Sequence, residues 1–153
     1  LFLSLHADSI ENRRVRGASV YTLSEIASDR EAAALAAKEN SADLIAGLDL
    51  SGESAEVRTI LIDLAQRETM NQAAVFANLV IPELSGTGGT LRNGHRFAGF
   101  AVLKAPDIPS LLIEMGYLSN REDEELLLSP EYRIRLARAL VRAIDHYFAD
   151  LRR

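Results

Sequence analysis

Apolar positions along the chain alternate between short runs and long stretches with helical spacing. Leu1 to Leu5 (LFLSL) is a short apolar run closed by His6-Ala7-Asp8, and Ala18 to Leu23 (ASVYTL) is a second run rich in β-formers. The polar SIENRRVRG between them reads as a loop. Ser28-Asp29-Arg30-Glu31 has the Ser-x-x-Glu spacing of a capping box, and the Ala-rich stretch after it predicts a helix to about Glu39 or Asn40. Ser54 to Ile81 predicts a long helix, with Val57, Ile60, Leu61 and Leu64 at helical spacing and Pro82 marking its end. Its polar middle, which includes Gln66, Arg67, Glu68, Asn71 and Gln72, suits a solvated face or a cleft.

Residues 85–95, SGTGGTLRNGH, predict a mobile loop, because they lack the Gly-x-x-x-x-Gly-Lys-Ser/Thr spacing that lets backbone amides cradle a phosphate. GFAVLK (99–104) and SLLIEM (110–115) predict two more strands, separated by the turn APDIP. Ser129-Pro130-Glu131 supplies an N-cap, a proline for the first helical position and an acid for the first turn. The helix that follows is expected to pack Ala137, Leu140, Val141, Ile144, Phe148 and Leu151 onto the sheet. Strands alternating with amphipathic helices imply an α/β layered fold.

Composition narrows the function classes. With 153 residues, 48% of them hydrophobic, the chain can bury the core of one domain or most of one. Its net charge of -5, with no cluster of Lys and Arg interleaved with aromatics, argues against nucleic acid as a partner. The absence of cysteine excludes disulfides and thiolate zinc sites but leaves zinc sites built from His and carboxylates open. No apolar run approaches the ~20 residues needed for a membrane span. The chain opens directly on a strand, so a longer chain starting upstream is expected.

Two residues stand out against the hydrophobic pattern. His6 closes the first apolar strand, and strand ends are where α/β sheets place ligands and catalytic groups. A hydrogen-bonded structural imidazole there is the competing reading. Glu114 interrupts an otherwise apolar strand, with Leu112 on its face and Leu111, Ile113 and Met115 on the other. A buried carboxylate must hydrogen-bond, pair with a cation or metal, or take up a proton. A salt bridge to an arginine such as Arg96 and a catalytic role are equally open. Together, His6 and Glu114 suit a site where a metal activates water and a carboxylate moves its proton.

SLHAD, GFAVLKAPDIPS and LIEMGYLSNREDEELL resemble the zinc-dependent N-acetylmuramoyl-L-alanine amidases, particularly the cell-separation amidases of Gram-negative bacteria. The resemblance covers essentially the whole chain and is most specific from Ala98 to Leu126. It implies a three-layer α/β domain with a mixed, mostly parallel sheet flanked by helices, of which residues 1–153 would form the C-terminal part. It also implies Zn2+ as cofactor, with His6 as a ligand and Glu114 as the catalytic acid/base. The family's other ligands, a His in a Gly-His-Gly motif and a Glu, would precede this sequence. His95 and His146 are the remaining imidazoles, neither expected to be a ligand. KENSADLIAG (38–47) resembles the start of an autoinhibitory helical insertion, here expected at about 28–81, in which Glu39 would block the zinc.

On the same resemblance the expected activity is hydrolysis of the amide between N-acetylmuramic acid and L-alanine in peptidoglycan, in the periplasm, for wall remodelling and daughter-cell separation. The expected protein partner is a LytM-type activator, with the polar face near Glu68 and Asn71 as one docking candidate. A catalytically silent peptidoglycan-binding or regulatory domain of the same fold is the alternative.

Overall fold

The structure is a computed structural model that describes residues 1–45 and 56–152, with side chains described outside 43–65. Four strands form one sheet: β1 (Phe2–His6), β2 (Ala18–Leu23), β3 (Thr90–Ala98) and β4 (Ser110–Glu114). Their spatial order is β1-β4-β2-β3, with β1–β4 and β2–β3 parallel and β2–β4 antiparallel. The expected mixed, mostly parallel sheet is therefore present.

Helices cover both faces. On one, α2 (Glu56–Ser85) and α4 (Pro130–Asp150) bury Phe76, Val80, Leu136 and Tyr147 against Val20, Leu111 and Ile113. On the other, α1 (Arg30–Ile45) buries Ala32, Leu35 and Ala36 against Tyr21, Leu112 and Leu103. Strand alternation thus sorts β4 as expected: Leu111 and Ile113 face α2 and α4, and Leu112 shares its face with Glu114. The expected start of the long helix at Ser54 lies outside the described residues, as do the side chains of Val57, Ile60, Leu61 and Leu64.

Several expectations require correction. Of the loop expected at 85–95, residues 90–95 belong to β3, because the parallel ladder with β2 supplies partners to a segment whose own composition favours turns. The register jumps from Ala18↔Thr90 to Val20↔His95, so the glycine-bearing stretch around Gly94 is taken up as an irregularity inside the strand. GFAVLK is not a strand. Ala101–Leu103 is a 3-10 turn, with Phe100 and Leu103 buried three residues apart. Asn40 fixes it from α1, its side-chain amide donating to the Gly99 carbonyl (2.9 Å) and its Oδ1 accepting from the Ala101 N–H (2.7 Å).

The long helix does not stop before Pro82 but continues to Ser85. Proline forfeits only its own N–H there, and the fully buried Leu84 holds the extra turn in the core. Asp29 rather than Ser28 caps α1, its Oδ1 accepting from the Ala32 N–H at 2.8 Å, while Glu31 turns to Arg96. A short helix, α3 (Arg121–Leu128), falls where none was expected. Asn120 caps it by accepting from the N–H groups of Glu122 and Asp123, and acids fill its first turn.

The inward face of α4 also differs from expectation. Tyr132, Leu136, Ala139, Leu140, Ala143 and Tyr147 are buried, whereas Val141, Phe148 and Leu151 are exposed. The helix carries apolar side chains on two faces, and packing against α2, where the Phe76 and Tyr147 rings lie 5.1 Å apart, selects between them. Leu136→Ala is therefore expected to cost about 2–5 kcal/mol in chemical denaturation. Val141→Ala, at a position 55% exposed, should stay within about 0.5 kcal/mol. The reverse order would restore the face read from the sequence.

Candidate metal centre

Parallel pairing of β1 with β4 sets His6 directly opposite Glu114 at the two strand ends. Ser4 and His6, two residues apart, share a face, and the Ser4 hydroxyl hydrogen-bonds His6 Nε2 at 2.8 Å. With Nε2 engaged by Ser4, Nδ1 is the ring nitrogen that faces the carboxylates. Asp8, just beyond the strand, donates its backbone N–H to Glu114 Oε2 at 3.1 Å. Donor atoms of His6, Asp8 and Glu114 all lie within 4.8 Å of one another.

Glu114 is fully buried, and its pairing is not the one weighed from the sequence. Arg96 binds Asp29 and Glu31 and donates to the Tyr21 hydroxyl at 3.1 Å, and it does not pair with Glu114. Burial, followed by the nearby Asp8 carboxylate, pushes the Glu114 pKa up to about 8. Its Oε1 and the Oδ2 of Asp8 are buried without a hydrogen-bond partner. Two orphaned carboxylate oxygens beside an imidazole nitrogen fit a divalent ion of N/O preference such as zinc.

Helix α1 reaches the same place from the opposite side. Glu39 Oε2 lies 3.2 Å from His6 Nδ1, and Lys38 forms an ion pair with Asp8 Oδ1. The Asp8 carboxylate, against the effect of burial, holds the His6 pKa above its ordinary value, with Glu39 and Glu114 adding to it. Burial and the Asp8 charge raise that of Glu39. His6 and Lys38 hold Asp8 well below the usual carboxylate range.

Of the residues singled out in the sequence, His6, Glu114 and Glu39 therefore converge. His95 and His146 do not join them. His95 sits on β3 rather than in a loop, its Nε2 3.0 Å from the Thr22 hydroxyl, and burial lowers its pKa. His146 is exposed on α4. Ser4, Asp8 and Lys38 were missed, although Asp8 stands inside the SLHAD motif and Ser4 is one face-repeat before His6.

The strand ends after His6 and Glu114 are shaped by one glycine. Gly116 has φ +147°, and a Cβ there would lie 3.2 Å from the Asp123 side chain. Asp123 Oδ2 accepts from the Gly17 and Tyr117 N–H groups at 2.8 and 2.9 Å, tying the loop after β4 to the start of β2.

Comparison with known proteins decides the family. The N-acetylmuramoyl-L-alanine amidase family matches residues 1–146. The chain belongs to that family. It is 38% identical to the N-acetylmuramoyl-L-alanine amidase AmiC of Escherichia coli O6:H1 over 98% of this chain and 36% of that protein. Among solved structures, the N-acetylmuramoyl-L-alanine amidase AmiC2 of Nostoc punctiforme superposes with a TM-score of 0.61 at 25% identity, over 97% of this chain and 57% of that one. The CwlD amidase from Clostridioides difficile, solved in complex with the GerS lipoprotein, shares the fold at a TM-score of 0.60 and 19% identity, over 97% of this chain and 54% of that one. The chain spans about a third to a half of the length of the curated amidases it matches, AmiC and AmiA of Escherichia coli. Among the described residues, no helix is long and apolar enough to cross a membrane.

The Ser4 contact gives a direct test of the metal centre. Ser4→Ala frees Nε2 and lets the ring turn, so zinc affinity measured by competition with a chelator should fall about tenfold. Unchanged affinity would mean that Ser4 does not orient the ligand.

Proposed function

We propose that this amidase domain performs zinc-dependent hydrolysis of the amide joining N-acetylmuramic acid to L-alanine in peptidoglycan. The observation that carries the reading is the buried Glu114 carboxylate, with Oε1 unpartnered, directly across the ladder from a histidine whose Nδ1 faces a cluster of carboxylates. Family membership supplies the substrate class. His6 would be a zinc ligand, with Asp8 close enough to join or steer it. Bound zinc would polarise the amide carbonyl and acidify a water molecule.

The chain's own work falls to Glu114. Its carboxylate accepts a proton from the attacking water and returns it to the departing nitrogen of L-alanine, as the C–N bond breaks and the muramyl carboxylate forms. Burial makes the Glu114 carboxylate a stronger proton acceptor than an exposed one. The Asp8 N–H bond to Oε2 leaves Oε1 as the atom that moves the proton.

The contacts of α1 support autoinhibition. Glu39 occupies the space in front of His6 Nδ1, and a catalytic zinc needs an open position. The first half of α1 belongs to the core through Ala32, Leu35 and Ala36. Beyond Ala36 the described contacts with the site are polar: Lys38 to Asp8, Glu39 to His6 and Asn40 to the 3-10 turn. Opening the site would thus require moving only the C-terminal turns of α1, within the segment at about 28–81 assigned a regulatory role. A LytM-type activator acting in the periplasm during daughter-cell separation fits that requirement.

Glu114→Gln is expected to abolish release of stem peptide from purified peptidoglycan while zinc binding persists. Retained turnover would place the acid/base elsewhere, and the silent wall-binding alternative would gain if the unaltered, zinc-loaded full-length protein released nothing with its activator present. Glu39→Ala should raise basal release by the full-length protein without activator. An unchanged rate would remove Glu39 from the lock.

A further inference from the structure

Asn40 stands inside α1, although an asparagine side chain competes for backbone hydrogen bonds and is disfavoured in helix interiors. It also continues a stripe. Ala32 and Ala36 are buried on the core side of the helix, and Asn40 is the next position at the same four-residue spacing, half-buried. An apolar residue there would hold this turn by burial. Asn40 holds it by two hydrogen bonds instead, donating to the Gly99 carbonyl at 2.9 Å and accepting from the Ala101 N–H at 2.7 Å. Ala101 is the first residue of the 3-10 turn, and the turn's own N-cap, Phe100, supplies no side-chain partner. The leading N–H of the turn is therefore satisfied by another element.

The surroundings give this contact leverage over the metal centre. Glu39 and Asn40 are adjacent and about 100° apart around the helix, so a single turn of α1 meets His6 on one side and the 3-10 turn on the other. Ser41, next along, is exposed, and its hydroxyl returns to the Ala37 carbonyl within the helix. The 3-10 turn is seated by Phe100 and Leu103, which pack in the same cluster as Leu35 and Ala36. Just beyond it, the Pro106 carbonyl accepts from the Thr69 hydroxyl of α2 at 2.8 Å. Residues 99–106 are thus held by both helices, and a shift of this segment reaches Asn40 without any contact at the metal centre.

We infer that Asn40 is the catch of the lock: its bridge to the 3-10 turn seats Glu39 in front of His6, and displacement of residues 99–106 releases the site remotely. This rests on the reading of Glu39 as an inhibitory carboxylate. Asn40 is a positioning residue, which acts through Glu39 and touches neither the substrate nor the reacting atoms.

The test uses the full-length, zinc-loaded protein and reads both release of stem peptide from purified peptidoglycan and hydrogen exchange of the α1 amides. Asn40→Ala should raise the rate without activator about tenfold, the scale of one to two neutral hydrogen bonds, and leave the rate with activator unchanged. Amides from Lys38 to Ala42 should lose about tenfold in protection, while those of Leu35 and Ala36 keep theirs. Asn40→Asp, nearly isosteric and retaining only the acceptor, should shift both readouts the same way and decides the matter if Asn40→Ala does not fold. Ser41→Ala should change neither. The double variant of Glu39→Ala with Asn40→Ala should be no faster than Glu39→Ala alone, since both act on one carboxylate. A rate unchanged by the Asn40 variants while Glu39→Ala raises it overturns the catch and keeps the lock. Unchanged amide protection overturns the catch as well, as does a double variant faster than Glu39→Ala. If Glu39→Ala itself has no effect, the lock falls and the inference with it.

Discussion

A carboxylate excluded from water sets the terms for the rest of the molecule. Glu114 ends the central-facing run of β4 with no exposure and, among the described residues, no cationic partner in hydrogen-bond contact. Such a group is tolerated only where its charge is neutralised, hydrogen-bonded or used. The fold supplies the means by placing β1 alongside β4 in parallel, so that His6 and the Asp8 N–H arrive at the same strand end. Parallel strands need long crossover connections, and the helices that make them are what shield the site.

The α1 helix serves two ends in one element. Its first turns are tied down by the Asp29 and Glu31 contacts to Arg96 and by Ala32, Leu35 and Ala36 in the core. Among the described residues, its later turns touch the site through Lys38, Glu39 and Asn40. Apolar burial is lost only by substantial exposure, whereas accessible ion pairs are worth little individually and exchange readily for others. A helix built this way can yield at one end while remaining anchored at the other, which is the mechanical property the proposed autoinhibition needs.

The site was more legible in the sequence than the course of the chain around it. A histidine at the end of one apolar run and a glutamate inside another violate the hydrophobic pattern, and such violations survive in a sequence read without its fold. Glu39 became visible through the family resemblance alone, since a charged residue late in a helix is otherwise unremarkable. Ser4 and Lys38 left no such mark. Each is ordinary on its own element, and each matters through a partner that another element delivers. Residues 90–95 were misread for a related reason: glycines and polar residues favour a loop locally, and the strand exists because β2 offers it a ladder.

By itself the sequence determined the α/β class, the faces of β4 and the identity of the two residues that break its pattern. These follow from periodicity and from the cost of burying charge, both of which act residue by residue. Only the tertiary structure decided which apolar face of α4 turns inward, that Arg96 goes to Asp29 and Glu31 instead of Glu114, and that Glu39 meets His6. Those outcomes depend on distances between residues far apart in the chain. Local propensity carries no information about such distances until the sheet has set them.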